Sequence, residues 1–438
     1  MRYKVRCGQL KSNGLRFYTQ FDNGSTKEMA VICIMAGSLH DPKRYRGLAH
    51  LVEHVITGEA REHNEREVAL LFARTMGGPD DNIFITTDRT PTTYGPGDLI
   101  RKHHNRKLFH IFASMVKEPV FSSKILSMES TAVLQEHYLR GEDIIEQKIF
   151  DLLYELTFPA EFPARNPIDG SMEEVRKATL QTVKIFHNQY YVPKNAFVIY
   201  LGPKHEEARR IIESELGDWG VNWKSNRNRE TGFFLGKDQG GFKALAESVK
   251  KELVSEGSHQ YHTAVGFSTE TYMTDDAEAL DVLAQILSDR MYRKLRTENE
   301  EWQKGAYRTP VYTDRSFAHG IFYFHFATTD EQFSKYGIEV FREECKKISE
   351  ELTSRDELEA WIGYLYDYEF FDNFQRSPGR LMEMVASAVA NGDTDLEKLH
   401  ARGEKLKSFL QKGGRQKLRE VAQKYLLNHS ATVISKPK

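Results

Sequence analysis

The apolar positions of this chain fall into short unbroken runs set between longer stretches of helical period. Met29–Ala36 (MAVICIMA) is apolar throughout and is closed by Gly37-Ser38, the pattern of a strand. A helical stretch over Leu48–Ile56 follows, after Pro42 and Gly47. Asn82–Thr93 is rich in Ile, Phe and Thr and predicts strand. Lys107–Val116, Ser123–Leu139 and Ile144–Leu156 predict helices, and Pro159, Pro163 and Pro167 then punctuate a loop. Ser171–Tyr191 predicts a further helix, and Ala196–Leu201 (AFVIYL) a strand ended by Gly202.

The same succession returns beyond residue 241. His262–Ser268 predicts a strand, Asp276–Leu295 a helix and Ile321–Ala327 a strand. Helices follow, and Ala431–Ser435 is a last short strand. Between the two series, residues 220–241 are rich in Gly, Asn and charge and predict a linker. Strand, helix, strand and then helices, given twice, predict an α+β fold of two related halves. The division this suggests is 1–219, a linker at 220–241, and 242–438.

Composition narrows the field. A chain of 438 residues exceeds one ordinary core. With 40% hydrophobic and 28% charged residues it has a soluble globular balance. The formal charge of -2 gives no reason to expect a nucleic-acid partner. The one basic cluster, Arg101–Lys107 (RKHHNRK), reads as a solvated loop or helix end. No run approaches the roughly 20 apolar residues that span a bilayer, so no membrane partner is expected. Met1–Leu10 carries Arg2, Lys4 and Arg6 without an apolar core after them, unlike a signal or transit peptide. The expected compartment is the cytoplasm. Cys7, Cys33 and Cys345 lie far apart, which argues against a disulfide framework and against a thiolate zinc site. Cys33, inside an apolar run, reads as a small buried hydrophobe.

The chemistry concentrates in Arg46-Gly-Leu-Ala-His50-Leu-Val-Glu53-His54. Histidines at i and i+4 project from one face of a helix, so both imidazoles can bind one metal ion. Glu53 leans toward that face and can take a proton from an activated water. The order is H-x-x-E-H, the inverse of the H-E-x-x-H zinc signature. A third protein ligand is needed. The helical stretch 127–140 offers Glu129 and Glu136, two turns apart on one face. One can ligate, and the other can support the site or the substrate amine.

These features resemble the pitrilysin family of metallopeptidases, which includes insulin-degrading enzyme and the mitochondrial processing peptidase. The resemblance rests on Ala36-Gly37-Ser38, on Gly47 through His54, and on Asn82, Asp88 and Thr90. It continues through Val133-Leu-Gln-Glu136 with Glu129, Pro167–Ser171 and Tyr191–Asn195. In the second half it takes in Met291–Arg296 and Gly305-Ala-Tyr307. It implies that His50, His54 and Glu136 hold one zinc ion per chain, that Glu53 is the base, and that Glu129 is a supporting carboxylate. It implies that Arg296 and Tyr307 contact the substrate near the scissile bond. Each half would be a mostly antiparallel sheet covered by helices, the two forming half of a clamshell chamber. The implied particle is a homodimer hydrolysing short or unfolded peptides. The alternative is a non-catalytic or partner-dependent subunit of a processing-peptidase-like complex, although such subunits typically lose the H-x-x-E-H residues. The second-half helix (ALDVLAQILSDR) has no His or Glu at the motif positions, so one metal site per chain is expected.

Overall fold

Two of the apolar runs, Lys27–Ile34 and Ala196–Gly202, lie side by side at the centre of a sheet. The structure is a computed structural model. It describes residues 5–22, 26–59, 66–67, 70, 83–139, 143–220, 244–271, 274–298, 306, 308–316, 319–366, 378–411 and 413–438. Two compact units are formed. Unit 1 is Met1–His137, Pro167–Lys237 and Asp372–Glu397, and unit 2 is Tyr138–Asn166, Asp238–Phe371 and Lys398–Lys438.

In chain order the first elements are β1 (Arg6–Gln9), β2 (Arg16–Phe21), β3 (Lys27–Ile34), α1 (Leu48–Gly58), β4 (Ile83–Thr87), β5 (Thr92–Pro96) and β6 (Ile100–Arg101). Then come α2 (Lys102–Lys117), α3 (Ser123–Leu139), α4 (Asp143–Thr157), α5 (Met172–Lys177), α6 (Leu180–Tyr190), β7 (Ala196–Gly202) and α7 (His205–Leu216). There follow β8 (Val249–Ser255), β9 (Tyr261–Ser268), α8 (Ala277–Tyr292), β10 (Val311–Arg315), β11 (Gly320–Thr328), α9 (Glu331–Glu350) and α10 (Arg355–Tyr366). The last are α11 (Pro378–Ala390), α12 (Glu397–Ser408), α13 (Gly414–Tyr425) and β12 (Ala431–Pro437).

The sheet of unit 1 runs β1-β2-β7-β3-β5-β4, with β6 beside β3. The sheet of unit 2 runs β10-β11-β9-β12-β8. Both have one parallel pair, β2 with β7 and β8 with β12, and are otherwise antiparallel. In each unit a late strand slots between the first strands of that unit. The fold class is thus α+β, and the repeat visible in the sequence is a repeat of topology.

A cut at residues 220–241 does not follow the compact units. In unit 1, α11 packs on β7 and β3; in unit 2, α4 packs on β9 and β12. Each half of the sequence therefore lends one helix to the other half's sheet. The apolar runs explain why such a cover is needed. Ala30, Ile32, Ala196 and Val198 belong to the main core of unit 1. Val31, Cys33, Phe197 and Ile199 alternate with them on the opposite face and are also buried.

The structure corrects several expectations. The segment 82–93 is not one strand; β4 and β5 are joined by a tight turn at residues 88–91. The helix predicted over 171–191 breaks at Ala178, where Thr179 caps α6 by accepting the Thr182 N–H at 3.2 Å. Helix α8 ends at Tyr292 and passes into a wider turn, Arg293–Thr297, which carries Arg296. The basic cluster opens α2 and is not simply solvated. Arg106 there donates to buried Glu28 at 3.0 Å and to Glu207 at 2.7 Å. The predicted linker, apart from Gly220, lies outside the described residues. Cys33 is buried, as its apolar setting predicts. Among the described residues no helix is long and apolar enough to cross a membrane.

Candidate active site

Helix α1 starts where two loops meet. The carboxylate of Asp41 accepts the N–H groups of Gly47 at 2.6 Å and Ala49 at 2.8 Å, satisfying donors that a helix start leaves unpaired. Gly47 (φ 87°) and Gly170 (φ 67°) both sit in the left-handed region. A Cβ on Gly47 would lie 2.4 Å from the Asp169 carbonyl oxygen, and one on Gly170 2.1 Å from that of Arg46. The Arg46 guanidinium donates to both carboxylate oxygens of Glu174, at 2.8 and 3.0 Å. The loop around Asp169 is thereby fixed against the first turn of α1.

The two histidines then share one geometry. His50 Nε2 lies 3.6 Å, and His54 Nε2 3.3 Å, from the same oxygen of Glu136 on α3. Their other nitrogens face outer carboxylates: His50 Nδ1 is 3.3 Å from Asp169 and His54 Nδ1 is 3.3 Å from Glu129. The ligating atoms of His50, His54 and Glu136 all lie within 4.8 Å of one another. Glu129 hydrogen-bonds the His54 Nδ1 and Asp169 stands beside the His50 Nδ1, so both Nε2 atoms are turned toward Glu136, the arrangement that orients histidines on a metal. Two imidazoles and a carboxylate suit a single divalent ion, so the donor set fits zinc.

Glu53 completes the group. It is 6% exposed and accepts a hydrogen bond from Thr87 Oγ1 at 2.9 Å. Burial raises its carboxyl above the ordinary glutamate range, while His50, His54 and the Thr87 bond oppose the rise. His54 is pushed up to about 10. Burial works against its charge, but the hydrogen bonds to Glu129 and Glu136 outweigh it. All of these groups belong to unit 1.

Two sequence profiles match this chain. One, Insulinase (Peptidase family M16), covers residues 17–166, and the other, Peptidase M16 inactive domain, covers 177–362. The chain belongs to peptidase family M16. This is the pitrilysin family that its motifs resemble. Among curated M16 relatives, the zinc protease PQQL-like protein of Arabidopsis thaliana is 26% identical over 214 residues, covering 47% of this chain and 22% of that protein. The mitochondrial-processing peptidase subunit beta of Dictyostelium discoideum is 23% identical over 210 residues, covering 47% of this chain and 43% of that one. The chain thus matches less than half of the length of either relative. A crystal structure of a protease from Helicobacter pylori superposes with a TM-score of 0.83 at 18% identity, covering 99% of this chain and 100% of that one. At that identity the likeness shows the fold.

The inactive-domain match agrees with what occupies unit 2. Helix α8 follows β9 as α1 follows β3, and its largely covered Asp281 accepts bonds from Thr313 at 2.8 Å, Arg315 at 2.6 Å and Arg402 at 2.7 Å. Fixed cations and a hydroxyl surround this carboxylate, with no histidine pair on the helix. Arg296 also lies in unit 2, its guanidinium 5.5 Å from the Tyr292 ring centre. Tyr307 lies outside the described residues. Glu129 is placed behind His54, where it acts through that imidazole. Sequence reasoning gave no role to Asp41, Thr87 or Asp169. Asp169 was visible only inside the Pro167–Ser171 landmark, because nothing in a sequence pairs it with a residue 119 positions earlier.

Proposed function

We propose that this M16 peptidase is a zinc-dependent endopeptidase of short or unfolded peptides. The observation that carries the reading is the convergence of His50, His54 and Glu136 beside buried Glu53. Zinc held by those three side chains would polarise the scissile carbonyl and acidify the attacking water. Glu53 takes the water proton and returns it to the leaving amine. Thr87 holds the Glu53 carboxylate in place through its hydrogen bond. Glu129, bonded to His54, and Asp169, beside His50, orient the two imidazoles so that each presents Nε2 to the site once His54 has given up its proton.

The substrate would bind as a strand. Among the described residues nothing pairs with the outer edge of β4, whose last residue is Thr87. An extended peptide adding there would run past Glu53. We place the remaining donors, Arg296 and Tyr307, on a second copy of the chain. A homodimer enclosing a chamber then selects substrates by size, and Arg296 stabilises the developing oxyanion.

Three outcomes test this reading. A fluorescence-quenched mixture of unfolded peptides is expected to be cleaved, with cleavage lost on chelation and restored by zinc. Cleavage that persists in chelator would overturn it. Second, Asp169→Asn and Glu129→Gln are each expected to weaken zinc binding at this site about 10–100-fold, read by competition with a chromophoric chelator. Unchanged affinity in both would remove them from the site. Third, a His54 held protonated by its carboxylates must give up that proton to ligate. Zinc uptake near neutral pH is therefore expected to release a proton, and affinity to fall about tenfold for each unit by which pH is lowered, per proton displaced. Calorimetry in buffers of different ionisation heat reads this directly; uptake without proton release would contradict it.

A further inference from the structure

The face of the unit 1 sheet under α11 is apolar, with Val31, Cys33, Phe197 and Ile199. The face of the unit 2 sheet under α4 is not. It carries Ala264, Gly266, Ile321 and Tyr323, but also His262 on β9 and His325 on β11. In the antiparallel register His262 stands opposite Ala327 and His325 opposite Ala264. The histidines are therefore diagonal neighbours on one face. Their rings stack at 5.9 Å with 15° between planes. Both are buried, at 8% and 6% exposure.

Buried imidazoles call for partners. Among the described residues His325 Nε2 is shut off from solvent with no hydrogen-bond partner. One turn from the start of α4, Glu146 reaches over this pair. One ligating atom from each of Glu146, His262 and His325 lies within 4.8 Å of the others, the same closeness that defines the His50–His54–Glu136 group. Phe150, one turn further along α4, packs edge-on against His325 at 5.2 Å and closes one side. Glu146 is exposed, so the other side opens to solvent.

We propose that unit 2 holds a second divalent transition-metal site, formed by Glu146, His262 and His325 and suited to zinc. Two neutral imidazoles and a carboxylate are ligands of the borderline type that zinc takes, with a fourth position left for water. A cation there accepts the lone pair of His325 that no described group satisfies. It also ties α4, drawn from the first half of the sequence, to two strands of the second. The ion is a clamp on the exchanged helix, and the chain carries two metal sites rather than one. The proposal does not depend on the peptidase reading, since it concerns other residues in another unit.

The test removes the first site. The full chain with His50→Ala and His54→Ala is equilibrated with zinc, dialysed and analysed for metal. About one zinc per chain is expected to remain. Adding Glu146→Gln, a change on an exposed helix surface, is expected to weaken that binding at least about tenfold, and His325→Gln to do the same. Zinc is expected to raise the melting temperature of the double-alanine protein and to lose that effect with Glu146→Gln. Far-UV circular dichroism keeps loss of binding distinct from loss of fold. Absence of bound zinc in the folded double-alanine protein would overturn the proposal. So would bound zinc indifferent to both further substitutions.

Discussion

Glu53→Gln is expected to lower peptide turnover roughly 10²–10⁴-fold, the range a positioned general base contributes, while zinc stays bound. The substitution is nearly isosteric. The amide oxygen can still accept the Thr87 Oγ1 hydrogen bond, so α1 and the histidines keep their places. Only the ability to take and return a proton is lost. The split between chemistry and metal content distinguishes this outcome from a folding defect. Turnover at the wild-type rate, with zinc content unchanged, would rule out Glu53 as the base.

The second large effect concerns chain integrity. A fragment of residues 1–219 is expected not to fold on its own, although it contains His50, Glu53, His54, Glu129, Glu136 and Asp169. It lacks α11, which covers β3 and β7 in unit 1. Without that helix at least Val31, Cys33, Phe197 and Ile199 would meet water, together with the surface that Leu381, Val385 and Val389 bury. At about 1.5–3 kcal/mol per large apolar side chain, the loss is of order 10 kcal/mol, comparable to the whole stability of an ordinary domain. Co-expression of 1–219 with 242–438 is expected to rescue both pieces as one complex. Monodisperse, cooperatively melting 1–219 alone would refute this account.

Much of the fold was legible in the chain. The runs at Met29 and Ala196 gave the central strands because burial on both faces leaves no polar interruption. The helix over Ser123–Leu139 matches α3 at both ends, and β9, β11 and β12 lie where their apolar runs predict. The short edge strands β1, β6 and β10 were not legible, since their residues alternate weakly and carry charge. Nor was the exchange of α4 and α11. Periodicity shows that a segment is a helix with an apolar stripe, but not which sheet that stripe covers. At the site, H-x-x-E-H announced itself because helical geometry is local. Glu136 needed a family resemblance to be chosen over Glu129, and the structure places it against both Nε2 atoms. Thr87, Asp169 and the His262–His325 pair depend on contacts between segments far apart in sequence, which no local pattern encodes.

The borrowed cover of unit 1 also sets a clock for synthesis. Strand β7 is complete at Gly202, yet α11 ends at Ala390, a separation of 390 − 202 = 188 residues. At about 5–20 residues per second, a ribosome needs roughly 10–40 s to make that stretch. Throughout that interval a finished sheet would show an apolar face with nothing to close it. The nascent chain is thus a natural client for a holding chaperone, and its yield in a cell should depend on how well that face is shielded before the later helix arrives.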